Sequence, residues 1–278
     1  MPLGRVGQVT SADGVSIAYR AEGKGPVALV FIHGWCCDSS YWSAQRVAFV
    51  PDYLVVTLDL AGHGESGRER ARWTLPAFGA DVQAVVEALG IERALLIGHS
   101  MGGPVSLEAA RRMPERVIGL VGVDTLHDAE FQFDPEPFQE LLEQYRNDFA
   151  GTCDEFVRSL FARSATTELV DRVAAKLCSS TPPEVAIELL QQFPGYDVGA
   201  AMAAVQVPIR CINSSRYPTQ VATNRKYAAD FDAVSMTGVG HFPMLERPDE
   251  FNQIMRRVVA ELTGPSPKGQ VPTSGPRR

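Results

Sequence analysis

The amino-acid sequence predicts an α/β fold: a mostly parallel sheet covered by helices on both faces and interrupted by an inserted helical segment. Three observations carry this expectation. Short apolar runs alternate with segments of helical periodicity, the pattern of strands joined by crossover helices. The alternation breaks once, between Asp124 and Pro208, where the pattern is mostly helical. A glycine-flanked serine directly follows one apolar run and directly precedes a helical stretch, at the strand edge where open α/β sheets collect their ligands.

VALVFIH (27–33), YLVVTLD (53–59), ALLIGH (94–99) and VIGLVGVD (117–124) read as buried strands, and residues 208–213 supply another. Phe78, Val82, Val85, Val86 and Leu89 recur at helical spacing and stop at Gly90, where a left-handed cap costs glycine little. Phe251, Ile254, Met255, Val258, Val259 and Leu262 mark a last helix, with Pro248, Asp249 and Glu250 forming a suitable first turn. Within the insertion, PEPFQELLEQYRNDF, TTELVDRVAAKL and PPEVAIELLQQF read as helices with prolines at plausible starts. Seven of the 13 phenylalanines fall there, so this segment has apolar surface to bury on itself and over a pocket. The closing GPSPKGQVPTSGPRR has too little apolar surface to offset the entropy of ordering it. The expected organisation is a core of residues 1–126 and 206–263, a helical cap of 127–205 and a disordered tail of 264–278.

A length of 278 residues is enough to bury a core without disulfides or metal. The formal charge of −7 disfavours nucleic acid and anionic membranes as partners, which leaves a small molecule as the expected one and a monomer or homodimer as the expected state. The N-terminus lacks an apolar leader core, and no run of about 18 apolar residues occurs. A cytoplasmic location is therefore expected. Cys36, Cys37, Cys153, Cys178 and Cys211 are odd in number without CxxC spacing, so reduced thiols are expected and no metal or other cofactor is implied.

The chemistry centres on Ser100 in GHSMG. A sharp turn from strand to helix forces the serine into a strained backbone conformation, and Gly98 and Gly102 let neighbouring chain pass closely enough to hold it. The hydroxyl is then presented at a helix N-terminus, whose amides favour developing negative charge. Among five histidines, His241 lies in a loop flanked by Gly238 and Gly240, which suits a flexible arm reaching over the sheet edge to act as base. His99, adjacent to the serine, should project away from the hydroxyl. His127, at the entrance to the insertion, and His33, after the first buried strand, are the candidates for contacting substrate.

With FIHGW at 31–35, DLAGHGES at 59–66, GHSMGG at 98–103 and GVGHFPMLERP at 238–248, in that order, the chain resembles α/β-hydrolase fold enzymes of the cofactor-independent serine esterase type over about residues 5–262. The resemblance implies an oxyanion hole formed by the backbone N–H groups of Trp35 and Met101. It also gives His33 and His63 the task of shaping backbone.

One part is missing from its usual place. Resembling enzymes carry the triad acid after the seventh strand, and the aligned SSRYPT has no carboxylate. A carboxylate is still needed to hold the imidazole tautomer. The nearest alternative is Asp124, at the carboxyl end of the preceding strand, where some resembling enzymes place their acid. A shift of one strand is a displacement of about 4.8 Å. Asp128 and an unrecognised or absent acid stay open as alternatives, and Asp59 reads as a structural loop residue. The expected function is hydrolysis of carboxylic esters with apolar acyl or aryl groups, through an acyl-enzyme made by Ser100, His241 and Asp124. Two other readings remain: C–C bond or lactone hydrolysis or perhydrolysis on the same site, and a ligand receptor with weak hydrolysis.

Overall fold

A computed structural model describes residues 4–264. The expected tail at 265–278 lies outside the described residues. Eight strands form one sheet: β1 (Arg5–Thr10), β2 (Ser16–Glu22), β3 (Ala28–Ile32), β4 (Leu54–Leu58), β5 (Ala94–His99), β6 (Val117–Val123), β7 (Ile209–Ser214) and β8 (Phe231–Met236). Their spatial order is β1-β2-β4-β3-β5-β6-β7-β8. From β4 to β8 every pairing is parallel, while β1 and β2 are antiparallel to their neighbours. The order reverses between β3 and β5, and this switch point opens a crevice at the carboxyl ends of those strands.

The helices are α1 (Ser43–Phe49), α2 (Leu75–Ala88), α3 (Gly102–Arg112), α4 (Pro135–Asn147), α5 (Phe149–Ser159), α6 (Thr167–Ser180), α7 (Pro183–Leu190), α8 (Val198–Ala203), α9 (Val221–Asn224), α10 (Pro243–Glu246) and α11 (Pro248–Thr263). Of these, α2 and α3 cover one face of the sheet and α1 and α11 the other. Because both faces are covered, β3 and β5 are buried along their whole length, which is why their sequences are continuous apolar runs rather than alternating ones. The α2 helix begins where the Thr74 hydroxyl accepts from Ala77 N–H, and it is followed by Gly90 at φ +65°.

Three features differ from the sequence reading. The N-terminal hairpin β1–β2 was not anticipated; its turn contains Asp13 and Gly14, and Gly14 takes φ +92°. The expected first inserted helix is broken at Asp148, whose carboxylate accepts from Gly151 N–H and starts α5 as a separate helix. Cys153 of α5 and Cys178 of α6 form a disulfide, with Cα atoms 5.7 Å apart, so the expectation of five reduced thiols is corrected. The two cysteines meet only because α5 and α6 pack side by side. Cys36, Cys37 and Cys211 are free and buried.

The disulfide closes a loop over a sequence separation of 25, which in a chain-entropy account stabilises the fold by about 3 kcal/mol. Thiol titration of the denatured, unreduced protein is expected to find three thiols, and urea unfolding to shift to lower concentration when reductant is added. Five titratable thiols, or an unfolding midpoint that ignores reductant, would contradict the pairing.

Candidate active site

The turn after β5 is set by steric contacts. Ser100 sits at φ +53°, in the left-handed region that costs a non-glycine residue on the order of 1–2 kcal/mol. A Cβ on Gly98 would lie 2.1 Å from the carbonyl oxygen of Gly102, and one on Gly102 would lie 2.5 Å from that of Ile32. Only glycines at these two positions let β5, α3 and β3 approach as they do. The serine backbone is further fixed by its N–H donating to Val123 O (3.0 Å) and by its carbonyl accepting from Gly103 N–H (2.9 Å) and the Thr125 hydroxyl (2.8 Å).

Asp124 follows β6 directly, also in the left-handed region at φ +45°. Its Oδ2 lies 2.6 Å from His241 Nδ1, and its Oδ1 accepts the backbone N–H of Ser214 at 2.7 Å. Ser214 ends β7, the strand that in resembling enzymes precedes the acid; here its backbone serves a carboxylate from next door. Burial alone would raise the Asp124 carboxyl, but the His241 ring and the Ser214 N–H outweigh it and hold the group well below the usual carboxylate range.

The His241 loop is pinned rather than flexible. His241 N–H donates to Leu160 O (2.8 Å) at the end of α5, and Gly240 N–H donates to the Glu246 carboxylate (2.9 Å). A Cβ on Gly240 would stand 2.2 Å from Leu160 O, so this glycine allows the insertion to touch the loop. On the other side, His99 Nε2 lies 2.8 Å from the carbonyl of His241. Burial and the neighbouring His241 push His99 down, to about 3, so its ring is neutral at pH 7 and donates through Nε2. Its place beside the serine in sequence gave no signal of this contact, which follows from the return of the loop after β8.

Ser100, His241, Asp124, Trp35, Met101 and His127 line one cavity of about 800 Å³ between the sheet edge and the inserted helices. Among the described residues, the backbone N–H groups of Trp35 and Met101 have no hydrogen-bond partner. The Trp35 indole is buried, donates to Ala186 O (2.8 Å) at α7, and meets Tyr145 edge-on at 5.7 Å. Much of the remaining wall is aromatic and comes from the insertion, including Phe138, Phe156, Phe193 and Tyr196.

His33 does not contact the cavity, which corrects its assignment to substrate. It is fully buried, with Nδ1 bonded to Gly34 O (2.8 Å) and Nε2 accepting from Leu60 N–H (3.0 Å), so both nitrogens are occupied in shaping the turn after β3. Asp128 lines the cavity but spends its carboxylate on Glu130 N–H (2.9 Å) in a local turn. Asp59 accepts from Ser39 and Glu65 N–H at 2.7 and 2.9 Å, tying two loops together. Cys37 reaches the cavity, but burial pushes its thiol up, so it stays protonated.

Residues 27–232 match the family model described as the alpha/beta hydrolase fold, and the chain belongs to this family. Among curated relatives, it is 36% identical over 113 residues to the dihydrolipoyllysine-residue acetyltransferase component of the acetoin cleaving system of Cupriavidus necator, covering 41% of this chain and 30% of that protein. It is 39% identical over 100 residues to the bifunctional esterase/perhydrolase DCH of Acinetobacter calcoaceticus, covering 35% and 36% of the two chains. The chain thus spans about a third of the length of these relatives. Among solved structures, a thermophilic esterase from Thermogutta terrifontis superposes with a TM-score of 0.80 at 22% identity, covering 93% of this chain and 99% of that one, a likeness of fold. No described helix is long and apolar enough to cross a membrane.

The depressed Asp124 carboxyl links stability to pH. Its contribution is fully present above the unfolded aspartate value of about 3.9 and is lost as pH falls through the lower folded value. The advantage of the wild type over Asp124→Asn in urea unfolding should shrink steadily below about pH 4. A difference that stays flat into strong acid would show that the carboxylate is not held in its charged form.

Proposed function

We propose that the protein is a serine hydrolase of carboxylic esters. The observation that carries this reading is the Asp124–His241 contact, set on the same cavity as a serine strained onto a strand-to-helix turn. With Nδ1–H held by the carboxylate, the imidazole presents Nε2 as its basic nitrogen. His241 takes the proton of Ser100, whose oxygen attacks the ester carbonyl. The partnerless N–H groups of Trp35 and Met101 receive the oxyanion, each such donor being worth about 2.7–4 kcal/mol of barrier. His241 then protonates the departing alcohol and activates water to release the acid from the acyl-enzyme. Asp124 keeps its charge throughout and stabilises the transient imidazolium.

In this reading residues 127–205 are a cap whose aromatic side chains wall the cavity, which favours apolar acyl or aryl groups. A second reading, perhydrolysis with hydrogen peroxide replacing water in the final step, is favoured by the likeness to a bifunctional esterase/perhydrolase. It uses the same residues.

Turnover of p-nitrophenyl esters of increasing acyl length should be measurable for the wild type and fall by at least about 10⁴-fold in Ser100→Ala. Adding hydrogen peroxide and assaying peracid separates the two readings. Ester turnover that survives Ser100→Ala would remove the serine from the chemistry.

A further inference from the structure

The residue before Ser100 touches both halves of the site. Its main chain carries the serine, while its imidazole reaches the backbone of the loop that holds the base: His99 Nε2 lies 2.8 Å from the His241 carbonyl oxygen. A carbonyl only accepts, so Nε2 carries the proton and Nδ1 of the neutral ring is left as a bare acceptor. That acceptor is buried and has no partner among the described residues. Burying an unpaired polar atom is destabilising, and an apolar side chain of similar size would avoid it. Packing therefore does not account for a histidine here. What the histidine adds is one N–H aimed at His241.

The ring has little room to turn. It is 1% exposed, with its centre 4.7 Å from that of His241, 5.2 Å from that of Phe242 and 6.4 Å from that of Trp42. The turn after β3 runs along its Nδ1 side, where a Cβ on Gly34 would lie 2.9 Å from Nδ1 and 3.1 Å from the Ser100 Cβ. Two hydrogen bonds among the described residues hold the backbone of His241 itself: its N–H donates to Leu160 O (2.8 Å) on the inserted segment, and its carbonyl takes the His99 proton. The first ties the base to the insertion. The second ties it to β5, the strand that leads into the serine.

We propose that His99 is a positioning residue that sets the register of base and nucleophile: its side chain fixes the main chain of His241 relative to β5, so that the imidazole bonded to Asp124 stays in place for Ser100. The proposal rests on the triad reading above. Strand β5 is paired on both sides, with β3 and β6, and so makes a rigid support. Without the His99 N–H, the His241 backbone keeps only its tie to Leu160 and follows the inserted segment rather than the sheet. A displaced base slows the chemical step more than it weakens substrate binding, so the effect falls on kcat rather than KM.

The test compares His99→Met, of similar size without a donor, and His99→Gln, whose amide reaches about as far as Nε2, with wild type and Ser100→Ala on a p-nitrophenyl ester. His99→Met should lose about 10²-fold in kcat, the scale of a displacement of about 1 Å, with KM little changed. His99→Gln should recover most of that loss. Urea unfolding gives the folded fraction of each variant, so that kcat is compared between folded proteins. Ring ¹⁵N NMR of the wild type should show His99 neutral with its proton on Nε2, and the His241 Nδ1–H signal should persist in His99→Gln and broaden in His99→Met. A wild-type His99 protonated on Nδ1 instead overturns the proposal without any variant, and so do equal kcat values in folded His99→Met and His99→Gln. Either result leaves the esterase reading intact. Turnover surviving in Ser100→Ala overturns both.

Discussion

The contact on which the site depends is the 2.6 Å link between Asp124 Oδ2 and His241 Nδ1. Asp124 is almost completely buried, and a carboxylate taken from water without a partner is costly enough to lose its charge instead. The imidazole and the Ser214 N–H prevent that. In exchange the carboxylate sets Nδ1 as a nitrogen of His241 that carries a proton.

The scaffold reaches this geometry through close backbone approaches. Parallel strands β3, β5 and β6 end side by side, so HGW, Ser100 and Asp124 emerge on one edge. The glycines at 98, 102 and 240 are the points where a Cβ would collide with backbone, and each joins a site loop to a neighbouring element. The insertion is part of the same construction. Leu160 holds the His241 loop, Ala186 holds the Trp35 indole, and a disulfide ties α5 to α6 beside the cavity wall. A change that loosens the inserted helices therefore reaches His241 and Trp35 through hydrogen bonds as well as through the shape of the cavity.

Much of this was legible in the sequence because the signals were local. Continuous apolar runs marked β3 to β7, and the strand–serine–helix order placed Ser100. The Asp124–His241 contact was legible in a different way: SSRYPT contains no carboxylate, and Asp124 ends the adjacent strand. What was not legible depends on pairings across the chain. The Cys153–Cys178 bond needs α5 to lie against α6. His33 seemed a substrate ligand from its strand-end position, whereas its two nitrogens are taken by Gly34 and Leu60. His99 looked idle until the carbonyl of His241 was seen above it. Of the two glycines around His241, Gly238 does take a left-handed φ of +70°, while Gly240 permits tight contact with the end of α5.

The account stands on an acid supplied from the end of β6. Steady-state kinetics of Asp124→Asn on the best p-nitrophenyl ester test it most directly, since the amide keeps the shape of the side chain while giving up its charge. The account predicts a fall in kcat of about 10⁴-fold with the fold preserved by circular dichroism. Turnover within a few fold of the wild type in a folded Asp124→Asn protein would contradict it.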